Sequence, residues 1–593
     1  LNKNMPYDQF VLEQLAGDEL SDWRNAKSYT VPMRRQLIAT GFLRQAADTS
    51  GEKELNTPDI RNRVLLDTVQ MVASSLMGVT IHCAQCHSHK FDPLSQADYY
   101  RLVSIFEPAI NPRDWKHPGT RHLWSEPEGE RKRIDTENRK LQGEIAAAKN
   151  NVKAAENAIA ARVVSSRLKP LPEALQEDLR KAEALPKEKR NEVQRYLVDK
   201  LGPLLMVADH LALATGAEKR TLVAAQQEIT SRSQRLASYY RIQGLWEDSG
   251  RASFYLFEEG ASDKPGVEVK AGFPRVMRSA TEREAIDDRP ANNKSSGRRT
   301  ALAEWLTSEK NPLTARVYVN RVWQRYFGVG LVATPDNFGR SGQRPTNQPL
   351  LDWLARDFAD HGWNVKRLHQ TIVSSQAYRQ SSLPTDAINL RRAESLDPDN
   401  RLLWKMPLRR LESGAIRDRT LAVSGKLNPR LGGPPVELLP EANGYVSIDR
   451  KKLASPDDEY RYSIYVLARR NYHLTQLNVF DQPVLAHNCT RRNSSAGVSQ
   501  SLVMLNSKFS LTQANYCAER VFSSAAARDP AGLVRRAFGL ALCRPPDPGE
   551  LKWGVQFLES TAGDPAVTEK GVRMRLAELC HVLFNTNEFL YIH

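Results

Sequence analysis

Apolar residues recur at helical spacing along most of the chain. The stretch Tyr7-Asp8-Gln9-Phe10-Val11-Leu12-Glu13-Gln14-Leu15 takes the three- and four-residue steps of an amphipathic helix, and Val64 to Leu76 does the same. Phe91-Asp92-Pro93 breaks the chain before another helix covers Ala97 to Phe106. From about 128 to 167 the composition shifts to Lys, Glu, Arg, Ala and Gln. Leu141, Ile145, Ala148, Val152, Ala155 and Ile159 follow steps of four and three residues, the seam of a coiled coil. Pro170 and Pro172 end that seam, and Leu222, Ile229 and Leu236 repeat the seven-residue step on a second charged helix. Together they predict an antiparallel helical hairpin, too short and Ala-rich to demand a partner chain, with its charge run as a solvated face.

Around 250–280 the period changes. Ala252-Ser253-Phe254-Tyr255-Leu256-Phe257 and Gly266-Val267-Glu268-Val269 read as short strands among Gly and Pro. A polar loop from Asp287 to Arg299 follows, and its Asn292-Asn293-Lys294-Ser295-Ser296-Gly297 segment is expected to be a mobile linker. Beyond 300 the pattern is helical again, with Trp305, Val319, Trp323, Phe327, Leu351, Trp353, Phe358 and Trp363 expected in the core. The predicted fold is mainly α and multidomain. It comprises a helical domain over 1–125, an inserted antiparallel helical hairpin over 126–245, a small β element with a polar linker over 246–299, and a C-terminal helical domain over 300–593.

Length supports the division, because 593 residues exceed what one core organises, about 250–300. The net charge of +15 and pI near 9.4 suit nucleic acid, an anionic polysaccharide, an acidic membrane surface or an acidic redox partner. With no compact Lys/Arg tract, zinc-finger spacing or RNP string, nucleic acid is not expected as a partner, whereas polysaccharide or membrane-surface contact stays open. No apolar run reaches the roughly 18 residues of a transmembrane helix. The chain opens at Leu1-Asn2-Lys3-Asn4-Met5 without a basic-then-apolar leader, so either a signal has been removed or the sequence starts inside a longer protein. Six cysteines are too few for a disulfide scaffold; Cys489, Cys517, Cys543 and Cys580 are dispersed and are expected as buried thiols or one or two bridges.

The other two cysteines lie in Cys83-Ala84-Gln85-Cys86-His87. Two thiols at this spacing reach the two vinyl groups on one porphyrin edge, and the adjoining imidazole turns under the iron, so C-x-x-C-H is the attachment pattern of haem c. With six Cys and twelve His in the chain, random placement produces it in roughly one chain in a thousand. Cys83 and Cys86 are then the thioether residues and His87 the proximal ligand. Candidates for the sixth position are His82, His89, His117, His122, Met71 and Met77. A competing reading uses His82, His87 and His89 with the two thiolates as a zinc site, although structural zinc sites draw on two separated ligand pairs. A thioredoxin-like pair lacks its strand and helix context.

The string Val79-Thr80-Ile81-His82-Cys83-Ala84-Gln85-Cys86-His87-Ser88-His89-Lys90-Phe91-Asp92-Pro93-Leu94, with Asp98-Tyr99-Tyr100-Arg101-Leu102, resembles the planctomycete cytochrome-c-like proteins. In that family a domain of unknown function with the C-x-x-C-H-x-H-K-F-D-P segment precedes a second such domain. The second half is similar to that partner at Asn311-Pro312-Leu313-Thr314-Ala315-Arg316-Val317, Val319-Asn320-Arg321-Val322-Trp323-Gln324, Phe327-Gly328-Val329-Gly330-Leu331-Val332, Thr334-Pro335-Asp336-Asn337-Phe338-Gly339, Ser375-Gln376-Ala377-Tyr378-Arg379-Gln380-Ser381-Ser382, Arg409-Arg410-Leu411-Glu412 and Leu579 to Leu590. The resemblance implies an exported protein, periplasmic or at the cell surface, and often a further cytochrome-like domain before the first.

Within these strings Arg316, Asn320, Arg321 and Gln324 share helical spacing, and Arg409, Arg410, Arg491 and Arg492 add guanidinium groups. Arg grips carboxylates bidentately, so these residues are candidates for haem-propionate or substrate contacts; inter-domain ion pairs are the plainer alternative. Asp336 and Glu412 are candidate acid–base groups without a second carboxylate at a telling spacing. No G-x-S-x-G elbow, phosphate loop or H-E-x-x-H helix is present. The leading expectation is one-electron transfer through a single covalent haem to a redox partner protein, with the C-terminal helical domain covering one side of it. One alternative is a haem enzyme oxidising an organic or carbohydrate substrate held by the arginines; another is a non-enzymatic surface or scaffold protein with a structural Cys/His metal site.

Overall fold

The computed structural model describes the chain except residues 1, 208, 249–252, 279–284, 289–294, 384–386, 484–488, 490, 491, 493, 526–528, 561–568 and 593, with 387 and 388 described by backbone alone. Among the described residues strands form only two-stranded ladders, so the fold is mainly α, as the apolar periodicity predicts. Two compact units are present, one of residues 1–21, 36–121 and 244–593, the other of 22–35 and 122–243.

The second unit contains the predicted hairpin. The helix Glu128–Leu168 runs antiparallel to Gly216–Arg235: Asp135 bonds Tyr239, Glu144 bonds Arg232 and Arg162 bonds Glu218, so partner numbers fall as the first helix advances. Ile145 and Ala148 pack on Ile229, and Ile159 and Val163 on Leu222, which is the seam read from the sequence. Leu123–Trp124 pairs antiparallel with Arg241–Ile242 and closes the base.

The first unit holds two separate helical cores. Val11, Leu65, Val69, Val103 and Phe106 share one core with Leu302, Val319, Trp323, Leu354 and Phe358. Ile416, Phe480, Cys517, Val521, Phe538, Cys580 and Phe589 form the other. The apolar stripe of Thr314–Phe327 faces the N-terminal helices, so the chain just after 300 completes the first core and only the part beyond about 411 builds its own. Trp353 departs from expectation: it is 55% exposed. Its helix, Gln348–Asp360, buries Leu351, Leu354, Ala355 and Phe358, and a residue two after Leu351 lies about 200° round the axis from it.

The linker reading of 292–297 also changes. Residues 292–294 lie outside the described residues, but Ser295 and Ser296 are buried, and both hydroxyls donate to Glu247 Oε2, at 3.2 and 3.1 Å. Arg299 follows at 1% exposure, donating to both Asp18 oxygens at 2.7 and 2.9 Å and lying 3.2 Å from Glu19. A cation between buried carboxylates is polar in sequence yet internal in structure, which local composition cannot distinguish from a solvated loop.

The small β element forms as predicted, Phe254–Phe257 pairing antiparallel with Pro265–Val269 across a bulge; Ala252 lies outside the described residues. Phe254 and Phe257 pack against Tyr100 on the helix Gln96–Phe106, which Ser95 and Asp98 start with a reciprocal capping box. This packing brings the hairpin loop to the Cys/His motif. Among the described residues no helix is long and apolar enough to cross a membrane.

Candidate functional site

The helix Pro58–Val72 widens into a π turn over Ala73–Met77 and stops at Gly78, whose φ of 62° is left-handed. A Cβ there would lie 2.7 Å from Val317 and 2.9 Å from Phe338, so glycine is needed for both conformation and space. The chain then enters the 3-10 turn His82–Gln85. Its underside is pinned: the Ile81 amide donates to Gln70 Oε1 at 3.2 Å, Ala84 is fully buried, and the Gln85 carbonyl accepts from Tyr100 Oη and Gln96 Nε2, each at 3.0 Å. Burial, reinforced by Cys86, holds the Tyr100 phenol far above its ordinary pKa, so it stays a neutral donor.

On this base Cys83, Cys86, His82 and His87 are exposed, and neither thiol is in a disulfide. His87 Nδ1 lies 2.7 Å from the Ser88 carbonyl. A carbonyl only accepts, so Nδ1 carries the proton and Nε2 keeps its lone pair for a metal. The loop after Phe254–Phe257 stands against Cys86: Gln85 Nε2 donates to the Gly260 carbonyl at 3.3 Å, and a Cβ on Gly260, at φ 77°, would come within 2.6 Å of Cys86 Sγ. The small β element therefore lies beside the motif.

The other ligand candidates are engaged elsewhere. His89 is 9% exposed, and its Nδ1 accepts from the Asp92 amide at 2.9 Å, so the ring closes the turn that its motif makes. His117 uses both ring nitrogens, on the Gly51 carbonyl and the Gly119 amide, each at 3.1 Å. Met77 belongs to the first core and Met71 is buried, and His122 meets Trp124 edge to face. Among the described residues no three His, Cys, Asp or Glu side chains converge so as to hold a metal ion.

Asp92 joins this segment to the second half of the chain. Its Oδ1 accepts from the Arg340 amide at 2.6 Å, and a Cβ on Gly339 would sit 2.5 Å from both carboxylate oxygens. The Phe338 amide donates to the Gly78 carbonyl at 2.7 Å. The strings around His89-Lys90-Phe91-Asp92-Pro93 and Asp336-Asn337-Phe338-Gly339 are thus two sides of one contact.

A second constellation forms from the arginines. Arg321, Gln324 and Arg325 on Thr314–Phe327 line a cavity of about 280 Å³ with Arg409, Arg410, Glu412, Phe480, Asp481, Cys489 and Arg492. The pairing of Arg409–Arg410 with Tyr591–Ile592 sets the first wall. Arg410 bonds Asp481 Oδ2 at 2.5 Å; Arg325 and Arg492 both reach Glu412, the latter at 2.6 Å. Glu412 is thereby a counter-ion to two guanidinium groups, which removes the acid–base role weighed for it. Ser495 and Arg410 outweigh burial and hold Asp481 below the usual carboxylate range. Burial, opposed by Glu412 and aided by Arg325, lowers the Arg409 pKa, and burial lowers that of Arg321 against the pull of Tyr7 and Asp336.

Arg321, Arg409, Arg410 and Arg492 therefore come together as their residue type suggested. Arg316 does not: it turns to Asp352 Oδ1 at 2.6 Å and to the Pro312 carbonyl, outside the cleft, because its position on the helix faces the neighbouring Gln348–Asp360. Asn320 is buried and clamps Val332 through its amide and carbonyl. Arg491 lies outside the described residues. Sequence reasoning missed Arg325, legible as the residue four after Arg321, and Asp481, which has no local signal.

Comparison with known proteins assigns both constellations to domains. Residues 1–110, which hold the Cys/His turn, match the family described as PSCyt2: Protein of unknown function (DUF1549). Residues 298–558, which hold most of the cleft, match PSD1: Protein of unknown function (DUF1553). No curated protein and no solved structure matches the chain. The chain thus pairs an N-terminal DUF1549 domain with a C-terminal DUF1553 domain, separated by the segment that contains the helical hairpin and the small β element.

Proposed function

We propose that the chain is an exported c-type haem protein that transfers single electrons through one covalent haem. The observation that carries the reading is the turn itself: Cys83 and Cys86 are exposed on a pinned backbone, and His87 is set by Ser88 in the tautomer that leaves Nε2 free. Cys83 and Cys86 would hold haem c by thioethers and His87 by its Nε2. When bound, haem c supplies an iron couple that takes up and releases one electron. The exposure of all three residues suits delivery to a redox partner protein at the surface. A zinc site is less well supported, because His89 Nδ1 is occupied by the Asp92 amide.

One observation favours the alternative of a haem oxidoreductase. His89, His117 and Met77 are engaged elsewhere and Met71 is buried, which leaves His82 as the imidazole still open on the turn. An unfilled sixth position would admit a small ligand or oxidant. Expression with the c-type attachment machinery, followed by a haem-stained denaturing gel and an absorption spectrum, tests both. Electron transfer predicts covalent stain, absent from Cys83→Ala/Cys86→Ala, with a low-spin six-coordinate spectrum. A high-spin spectrum that responds to cyanide or CO selects the enzyme. No stain, with one zinc per chain by elemental analysis, would overturn both.

A further inference from the structure

The arginine cleft holds more positive charge than its own carboxylates compensate. Among the described residues five guanidinium groups line it against two carboxylates. Glu412 is shared by Arg325 and Arg492, and Asp481 is taken by Arg410. Arg321 and Arg409 are left without a carboxylate at ion-pair distance; Arg321 Nη2 donates only to the Ser74 carbonyl, at 2.8 Å. Nε of Arg321, Nε of Arg409, and Nε and Nη1 of Arg410 are buried without an acceptor among the described residues. The Arg410 side chain is 4% exposed, so solvent does not relieve it.

A buried donor without an acceptor costs about 1–3 kcal/mol, and more when it is charged. The group that relieves several such donors at once accepts only, carries negative charge and has two or three oxygens in reach of guanidinium forks. We propose that this cleft binds the oxyanion group of a small molecule, a carboxylate, sulfate or phosphate, between Arg321 and Arg409 with Arg410 beneath it. The cavity of about 280 Å³ holds such a group with a few attached carbons, and Leu411 and Phe480 give those carbons an apolar wall. The site is independent of haem attachment, since every residue in it belongs to the second half of the chain.

Calorimetric titration of the full chain with sodium sulfate, sodium phosphate and sodium succinate, each at low ionic strength, tests this. At least one anion is expected to bind, and Arg409→Gln to weaken it about tenfold or more. Arg356→Gln, which removes an exposed pair with Asp360 outside the cleft, is expected to leave binding unchanged. Preference for sulfate and phosphate assigns a tetrahedral ligand, and preference for succinate a carboxylate. Binding by none of the three, or equal binding by Arg409→Gln, overturns the proposal. If Arg409→Gln does not fold, Arg409→Lys keeps the charge and loses the fork; undiminished binding there overturns it equally.

Discussion

The Cys83–His87 turn and the arginine cleft present their chemistry in opposite ways. On the turn the thiols and imidazole face water while the backbone beneath them is bonded to Gln70, Gln96 and Tyr100. In the cleft Arg321, Arg409 and Arg410 are buried or part-buried, and four of their nitrogens have no acceptor among the described residues. The turn can wait for a ligand at no cost, because water solvates it meanwhile. The cleft cannot, since burial removes hydration before any ligand replaces it.

Substitutions can break or sharpen this contrast. The largest effect is expected where the turn is hemmed in: Gly260→Val strains a residue at φ 77° and drives its Cβ to 2.6 Å from Cys86 Sγ. It should cost ~2–4 kcal/mol in urea unfolding. Gly444→Val has φ 81° in open space and should lose only the strain, ~1–2 kcal/mol. Equal losses would mean that the Gly260 loop does not press on the motif.

Glu107 measures the cost of an unsatisfied buried charge away from either site. Both its oxygens are buried without a hydrogen-bond partner, Arg113 standing 3.8 Å from Oε1, and burial, against the pull of Arg113 and Arg298, raises its pKa from 4.5 to about 7. Between those values the folded state binds more protons than the unfolded. Its contribution is therefore most favourable below pH 4.5, falls as pH rises, and levels off above about 7. Glu107→Gln should remove that slope and stabilise the protein by ~1–3 kcal/mol at pH 8, with little change at pH 4. Denaturation midpoints at the two pH values decide it.

In the cleft, Arg409→Gln should raise stability by ~0.5–1 kcal/mol in anion-free buffer, because it removes a part-buried cation that has no carboxylate at ion-pair distance among the described residues. A loss above that size would mean that the charge is compensated. The smallest effect is expected on the turn, where Cys83→Ser should shift the unfolding midpoint by less than ~0.5 kcal/mol. Mass spectrometry of the same variant after haem loading should show one thioether position gone.

What could be read in advance follows the range of the interactions involved. Ile145, Ile159, Leu222 and Ile229 meet as their seven-residue step predicted, because helical periodicity places a seam before any tertiary contact exists. Cys83, Cys86 and His87 were equally legible, their chemistry being contained in five consecutive residues. By contrast, Arg299 looked like part of a solvated loop, and Arg316 looked like a partner of Arg321. One is buried against Asp18 and Glu19 and the other turns to Asp352, and both outcomes depend on residues distant in sequence.

The sequence by itself determined the helical class, the hairpin and the Cys/His motif, since each rests on periodicity or on neighbours within a few residues. Only the tertiary structure decided that Asp92 would meet Gly339 and Arg340, that His89 would close its own turn, and that Arg321, Arg409 and Arg410 would share a cleft with Asp481. Those outcomes turn on burial and charge compensation, which are properties of the packed chain: a guanidinium group has the same composition whether a carboxylate 71 residues away reaches it or not.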